Sequence, residues 1–190
     1  MSVNASIFQL KKAAFVCNHG GVISYPTESV FGLGCNPDDF SAVEKLLSLK
    51  QRPIGKGLIL IAADIDQLLP YIIVSDNDCE KIISNQTIPT TWLIEPSELT
   101  PVWITGQHKK VAVRITRHPV AKQLCALIDY PLVSTSANTA KKMPARSSLK
   151  SRIYFGDGVD FYIGGRTGNS ACVSQIIDLN SGVIVRDSLG

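Results

Sequence analysis

Short apolar runs rich in β-branched residues recur along this 190-residue chain, and segments of helical periodicity lie between them. Residues 22–25, 58–62, 90–94, 111–115, 131–134, 159–163, 174–179 and 183–186 read as strands. Residues 7–17, with Ser6 as N-cap, read as a helix. So do 37–50, opened by Pro37-Asp38-Asp39-Phe40 and closed by Lys50, and 118–128, opened by His118-Pro119. Two shorter, acid-started helices are expected at 64–71 and 76–83. Residues 96–108 read as a loop anchored by Trp103, and 139–152 as a basic loop with a short helix. Interspersed strands and helices specify an α/β fold, an open sheet of mixed pairing with flanking helices. With no repeat, low-complexity stretch or linker, residues 1–190 are expected to form a single domain.

Composition narrows the setting. Hydrophobic residues make up 45% and charged residues 18%, enough apolar side chain for a large core. No run approaches the ~18 apolar residues of a membrane span, and the first residues lack the basic and apolar blocks of a secretory signal. Five scattered cysteines, without a Cys-x-x-Cys pair, indicate a reducing compartment, no disulfide framework and no structural zinc. A cytoplasmic location is therefore expected. Net charge is only +3, but residues 64–100 carry seven acids and one base, and 101–156 carry ten bases and one acid. That asymmetry implies one electropositive face.

The most pointed local feature is Lys50-Gln51-Arg52-Pro53-Ile54-Gly55-Lys56-Gly57, which runs directly into the apolar strand at 58–62. Lys50, Arg52 and Lys56 place three cations in seven residues. Pro53, Gly55 and Gly57 oppose regular helix or strand. Clustered cations repel one another unless a polyanion neutralises them, and a phosphate chain is the first candidate. A solvated surface loop is the plainer alternative.

Several strands end in polar residues: Thr27 after 22–25, Arg114 within 111–115, Ser134-Thr135-Ser136-Ala137-Asn138 after 131–133, and Arg186 after 183–185. Ligands of open α/β sheets lie at strand ends, and hydroxyls beside cations suit a nucleotide with a small polar co-substrate. The Ser-Thr-Ser run could equally satisfy the backbone of a turn. Val30-Phe31-Gly32-Leu33-Gly34-Cys35 reads as a glycine-rich turn, without the third glycine of a dinucleotide-binding fingerprint.

Tyr25-Pro26-Thr27-Glu28, Lys50-Gln51-Arg52-Pro53, Lys56-Gly57-Leu58, Val113-Arg114 with His118-Pro119, and Ser134-Thr135-Ser136-Ala137-Asn138 occur in one order. In that order and approximate spacing the chain resembles the YrdC/TsaC family, threonylcarbamoyl-AMP synthases of the short bacterial kind, over nearly its whole length. The resemblance implies a twisted α/β sheet with a basic concave cleft. It implies formation of threonylcarbamoyl-adenylate and pyrophosphate from L-threonine, bicarbonate and ATP, for t6A modification of tRNA. Carried over by position, Lys50, Arg52 and Lys56 would hold the ATP phosphates, with Lys50 and Arg52 at the reacting centre. Ser136, Asn138, Arg146 and Arg186 would complete the nucleotide site. Thr27, Arg114, Ser134 and Ser174 would hold threonine, Arg114 taking its carboxylate in a two-pronged grip. Mg2+ is expected with the ATP phosphates, with no protein ligand identified. Glu28 is the nearest candidate base, or else a brace for its loop. Implied partners are the threonylcarbamoyl transferase complex and RNA or tRNA, with no membrane.

The chain departs from the family pattern at three places. Thr87-Ile88-Pro89-Thr90-Thr91 stands where the family has Pro-Gly-Pro-Val-Thr. Thr139-Ala140-Lys141 replaces x-Ser-Gly after Asn138, and Gln175 follows Ser174. None removes a phosphate-binding cation. The competing classes are a basic module that docks RNA by shape and charge, and a nucleotide-binding regulator without catalysis. Few aromatics are available for base stacking.

Overall fold

The computed structural model describes residues 5–84, 88–140, 142–168 and 174–187. Among these residues nine strands form one twisted open sheet: β1 (Ile23–Pro26), β2 (Phe31–Gly34), β3 (Ile59–Ala62), β4 (Thr90–Ile94), β5 (Val111–Ile115), β6 (Leu132–Ser136), β7 (Phe161–Tyr162), β8 (Gln175–Asp178) and β9 (Ile184–Arg186). Their spatial order is β7-β1-β2-β6-β3-β5-β4-β8-β9. Pairing is mixed, parallel at β7–β1, β3–β5 and β4–β8 and antiparallel elsewhere.

Among the described residues six helices flank it: α1 (Ile7–Asn18), α2 (Phe40–Lys50), α3 (Asp76–Ile83), α4 (Val102–Thr105), α5 (Pro119–Ile128) and α6 (Ser148–Phe155). Local chemistry sets their starts. Ser6 and Gln9 form a reciprocal capping box on α1. The Asp39 carboxylate accepts from Ala42 N at 3.0 Å to open α2. Pro119 occupies the first turn of α5, where its missing N–H costs no hydrogen bond.

Strand alternation divides the core between the two faces. On one face Leu10, Ala13 and Cys17 of α1 and Ala121, Leu124 and Cys125 of α5 pack on Ile23, Tyr25, Ile61 and Leu132. On the other, Val43 and Leu46 of α2 pack with Phe31, Leu33, Leu60, Val113 and Val133. Cys17, Cys35, Cys79 and Cys125 are free thiols; burial pushes the Cys17 and Cys125 thiols up to about 12, so both are inert. Cys172 lies outside the described residues. No helix among the described residues is long and apolar enough to cross a membrane.

Two expectations fail. Residues 31–34 form a strand, not a glycine turn, because the aromatic ring of Tyr25 on β1 lies across them. A Cβ on Gly34 would sit 2.9 Å from Tyr25 Cε1 and 2.6 Å from the Val133 carbonyl oxygen, and one on Gly32 would sit 3.2 Å from Tyr25 Cζ. The glycines therefore make room for a buried ring. Residues 64–71 form bends ending in a 3-10 turn at Leu69–Tyr71 rather than an α-helix. The Gln67 side chain fixes that path, accepting from Ala63 N at 2.8 Å and donating to Cys125 O at 2.8 Å. Residues 96–108 are also less irregular than expected, since they contain α4; Trp103 does anchor them, donating through Nε1 to Pro37 O at 2.9 Å.

Candidate active site

Ile59 of β3 lies opposite both Ala112 of β5 and Ser134 of β6, and Gly32 lies opposite Ser136. By alternation Arg114, Ser134 and Ser136 therefore share one face of the sheet. It is the face that α1 and α5 cover, and beyond them it opens as a cavity of about 230 Å³. Thr27, Arg52, Arg114, Ser134, Ser136, Ser174 and Arg186 all line it. A second cavity, of about 460 Å³, continues across β3, sharing Arg52, Leu58, Ile59 and Arg186 with the first. Its floor is apolar, with Leu93, Ile104, Ala112 and Ile176, and its rim carries Lys56, His108 and Lys109. Together they fall within the ~300–1,000 Å³ usual for small-molecule sites. Of the ten bases at 101–156, Lys109, Lys110 and Arg114 line these cavities, joined by Arg52, Lys56 and Arg186 from outside that run.

The hydroxyls of the smaller cavity are fixed before any ligand arrives. Tyr25 Oη donates to Ser134 Oγ at 2.9 Å, and Thr27 Oγ1 donates to Val30 O at 2.7 Å. Ser174 Oγ accepts from Thr91 Oγ1 at 3.0 Å and from Arg186 Nη2 at 3.1 Å. Arg186 Nη2 also donates to Ser174 O at 2.6 Å.

Arg114 projects from β5 beside Glu28, its Nη2 3.4 Å from Glu28 Oε2, with the two side chains only 11% and 12% exposed. That contact is an ion pair without hydrogen-bond geometry, and Arg114 Nε is buried with no acceptor among the described residues. Buried unsatisfied donors call for an explanation, and this guanidinium lines the cavity. Burial works against the Glu28 charge, but Arg114 and several hydrogen bonds outweigh it and hold the carboxyl down at about 2. Such a group is a poor proton acceptor near neutrality. Of the two roles read from the sequence, the brace is the one its geometry fits.

The basic loop is shaped by its ends. Gln51 takes a left-handed conformation (φ 52°) that stops α2, and Gly57 (φ 61°) turns the chain into β3. Between them lies a 3-10 turn at Ile54–Lys56. Backbone bonds from Leu58 N to Ile104 O (2.8 Å) and Gln107 N to Gly55 O (3.0 Å) clamp the loop to α4. Arg52 Nη2 donates to Gly57 O at 2.9 Å and Lys56 O at 3.2 Å, while its Nε is buried with no acceptor among the described residues. Arg52 stands where the two cavities meet, and burial lowers its pKa.

The structure separates the other cations from this point. Lys50 is turned inward: its ammonium donates to the Ser136 carbonyl, to Asn138 O at 2.9 Å and to Asn138 Oδ1 at 3.4 Å. Burial, and then the Arg52 charge, lower its pKa from 10.5 to about 8. Lys50 thus braces the loop after β6 from behind rather than lining the cavity. Asn138 belongs to the same brace, accepting from Ser136 Oγ at 2.6 Å and donating to Lys142 O at 2.9 Å. Exposed Lys56 lines the larger cavity only, and Arg146, exposed before α6, lines neither.

Two departures from the family pattern meet in space. Gln175 Nε2 donates to Thr90 Oγ1 at 2.8 Å, and Thr90 Oγ1 donates to Ile88 O at 2.9 Å. Thr91 meanwhile reaches Ser174, so the altered segment still positions the cavity serine. The described part of this segment is 88–91; Thr87 lies outside the described residues, as does Lys141 of the third departure.

Comparison with known proteins agrees with this architecture. The family described as telomere recombination, which groups Sua5, YciO and YrdC, matches residues 16–188. The threonylcarbamoyl-AMP synthase of Cellvibrio japonicus is 48% identical over 177 residues, covering 93% of this chain and 94% of its own. That of Pseudomonas aeruginosa is 44% identical over 183 residues, covering 95% and 98%. Among solved structures, P. abyssi Sua5 complexed with L-threonine superposes with a TM-score of 0.85 at 29% identity, over 93% of this chain and 52% of that one. E. coli YciO superposes at 0.84 and 26% identity, over 100% and 93%. By sequence, by fold and by the residues gathered on this face of the sheet, the chain belongs to the Sua5/YciO/YrdC family.

Proposed function

We propose that this protein is an L-threonylcarbamoyladenylate synthase, making threonylcarbamoyl-AMP and pyrophosphate from L-threonine, bicarbonate and ATP. The observation that carries the reading is the cavity at Arg114: a buried guanidinium with an unused donor, ringed by fixed hydroxyls and opening at Arg52 onto a basic-rimmed groove. Relatives at 42–48% identity that bear this activity in their names support it.

In this reading Arg114 pairs with the threonine carboxylate, and the hydroxyls of Thr27, Ser134 and Ser174 surround the rest of the amino acid. The neutral threonine amine attacks the carbon of bicarbonate, and loss of water leaves a carbamate. A carbamate oxygen then attacks the α-phosphorus of ATP; the new P–O bond forms as the bond to the β-phosphate oxygen breaks, and pyrophosphate leaves. The protein supplies positioning and charge rather than a covalent nucleophile. Arg52, at the junction of the cavities, faces the site of developing phosphate charge, with Arg186 beside it and Lys56 further along the groove. Ser136 lines the smaller cavity, held by the Asn138 and Lys50 brace.

No acidic side chain is among the residues lining the smaller cavity, and among the described residues no three His, Cys, Asp or Glu side chains converge. The donor set does not form a protein-built magnesium site; the ion would arrive on the phosphates of ATP. The product would pass, in the cytoplasm, to the transferase complex that places threonylcarbamoyl on tRNA, and the basic rim is suited to RNA contact.

The test is pyrophosphate release from ATP, bicarbonate and magnesium with and without L-threonine, alongside incorporation of labelled bicarbonate carbon into a nucleotide product. Release and incorporation that both depend on threonine are expected. ATP binding without release would overturn the reading in favour of a nucleotide-binding or RNA-binding relative without synthase activity.

A further inference from the structure

Glu28 does more than close a turn. Its Oε1 accepts from Thr116 Oγ1 at 2.8 Å, Arg117 N at 3.0 Å and His118 N at 3.3 Å, capturing the connection between β5 and α5. Its main chain is packed as tightly: a Cβ on Gly168 would lie 2.6 Å from Glu28 O, and Gly168 N donates to Thr27 O at 2.9 Å. The backbone carrying Thr27, the end of β5 and the segment at 166–168, whose Arg166 carbonyl lies 3.0 Å from His118 Nε2, converge on this residue. The two carboxylate oxygens are unlike. Oε1 is saturated by a hydroxyl and two backbone donors; Oε2 accepts no hydrogen bond among the described residues and faces Arg114 alone.

That asymmetry separates two jobs. A neutral glutamine could still accept all three bonds at Oε1, so the brace needs only a carbonyl-type oxygen. The negative charge serves Oε2 alone, and the cation it meets is Arg114. We propose that Glu28 is a positioning residue for threonine recognition: its Oε2 charge aims and holds the Arg114 guanidinium, leaving donors free for the substrate carboxylate. The proposal rests on the reading of Arg114 as the carboxylate partner. Glu28 touches no reacting atom in it, and acts through Arg114.

Glu28→Gln keeps the brace and removes the charge, placing an amide NH2 against a guanidinium. Thr116→Val does the reverse, taking from the brace the bonds of Thr116 Oγ1 to Glu28 Oε1 and from His118 N without touching the ion pair. Both would be assayed for threonine-dependent pyrophosphate release, with KM for threonine and for ATP measured separately and thermal melting recorded. Loss of one charge-assisted contact predicts a rise in threonine KM of about tenfold or more in Glu28→Gln, with ATP KM within about twofold. Thr116→Val should lower the melting temperature and leave threonine KM within about twofold. In an Arg114→Ala background, followed by calorimetric L-threonine binding, Glu28→Gln should weaken binding no further. If Glu28→Gln cannot be obtained folded, Glu28→Asp, which draws the charge back by one methylene, should raise threonine KM about threefold or more with ATP KM unchanged.

A purely structural brace predicts the opposite ranking, with Thr116→Val the more damaging and the charge dispensable. Unchanged threonine KM in Glu28→Gln, or in Glu28→Asp where that stands in for it, or parallel rises in both constants, would overturn the proposal. The failure of the underlying reading is distinct: Arg114→Ala would itself leave threonine binding unchanged.

Discussion

At the end of the cavity formed by Thr27, Arg114, Ser134 and Ser174, each functional group is held by a side chain or carbonyl from a neighbouring strand or turn. At the other end Arg52 precedes and Lys56 closes a 3-10 turn whose own backbone is clamped to α4; the Arg52 side chain bonds carbonyls of its own loop, and Lys56 is exposed. The first end is stiff in its side chains, the second in its main chain. The difference suits the two ligands proposed for them. A small amino acid presents one carboxylate, one amine and one hydroxyl, and is selected by fixed donors at short range. A triphosphate is long, highly charged and internally flexible, and is met well by cations on long side chains that adjust as it binds.

Substituting glycines at the two ends should produce the largest and most separable effects. Gly34→Ala would push a methyl against the Val133 carbonyl at 2.6 Å and the Tyr25 ring at 2.9 Å. A loss of about 1–3 kcal/mol or more in unfolding free energy is expected, with threonine KM raised because Tyr25 is displaced from Ser134. Gly106→Ala would meet Gly57 N at 2.6 Å in a left-handed conformation (φ 61°), moving the clamp under the basic loop and raising ATP KM instead. Urea unfolding and the two KM values measure both; equal shifts in the two constants would dissolve the distinction between the ends.

A smaller, pH-dependent effect should sharpen it. Lys50 belongs by sequence to the basic loop but by structure to a brace, and its burial carries a cost. Its folded pKa of about 8 lies below the ordinary 10.5. Between these values the unfolded chain binds a proton that the folded chain releases, so stability rises with pH through that window. In Lys50→Met this contribution is missing. The stability of the parent protein minus that of the variant should rise from about pH 8 to about pH 10.5 and level off above it. Cys17 and Cys125 act in the opposite direction over part of that range, but in both proteins, and cancel in the difference. A flat difference would mean that the ammonium is well solvated and the brace has been misread.

The smallest effect belongs to Tyr25→Phe, which removes one buried hydrogen bond and leaves the ring. A loss of about 1 kcal/mol in chemical unfolding is expected, with a modest rise in threonine KM. No change in KM would show that Ser134 is held adequately without it.

Much of this arrangement was legible in the chain itself. Ser6, Asp39 and Pro119 mark helix starts by local chemistry, and the apolar runs at 58–62 and 111–115 are strands because both faces of the sheet are covered. The cavity hydroxyls and Arg52, Arg114 and Arg186 could be named from polar residues at strand ends and the family resemblance. What sequence could not supply was direction. Lys50 and Arg52 stand two residues apart in the same basic motif, yet the left-handed Gln51 between them sends one ammonium into a cage of carbonyls and the other guanidinium to the cavity. Gly32 and Gly34 look like a turn until the Tyr25 ring, which arrives from the neighbouring strand, explains them. The partition of Glu28 into a brace and an anchor depends on Thr116, His118 and Arg114, 86–90 positions away in sequence, and no local pattern carries it. Arg146 follows the family motif by position, but it stands exposed ahead of α6 and lines neither cavity.

The division of the cavity is tested most directly by measuring threonine and ATP KM values, through threonine-dependent pyrophosphate release, in Arg114→Lys and Arg52→Lys. Each keeps the charge and removes the planar fork. A crossed result is predicted: Arg114→Lys raises threonine KM and spares ATP, whereas Arg52→Lys lowers kcat and raises ATP KM with threonine little changed. If both variants shift both constants together, the two ends are not separate binding sites. If the parent protein releases no pyrophosphate in response to threonine, the proposed activity itself is contradicted.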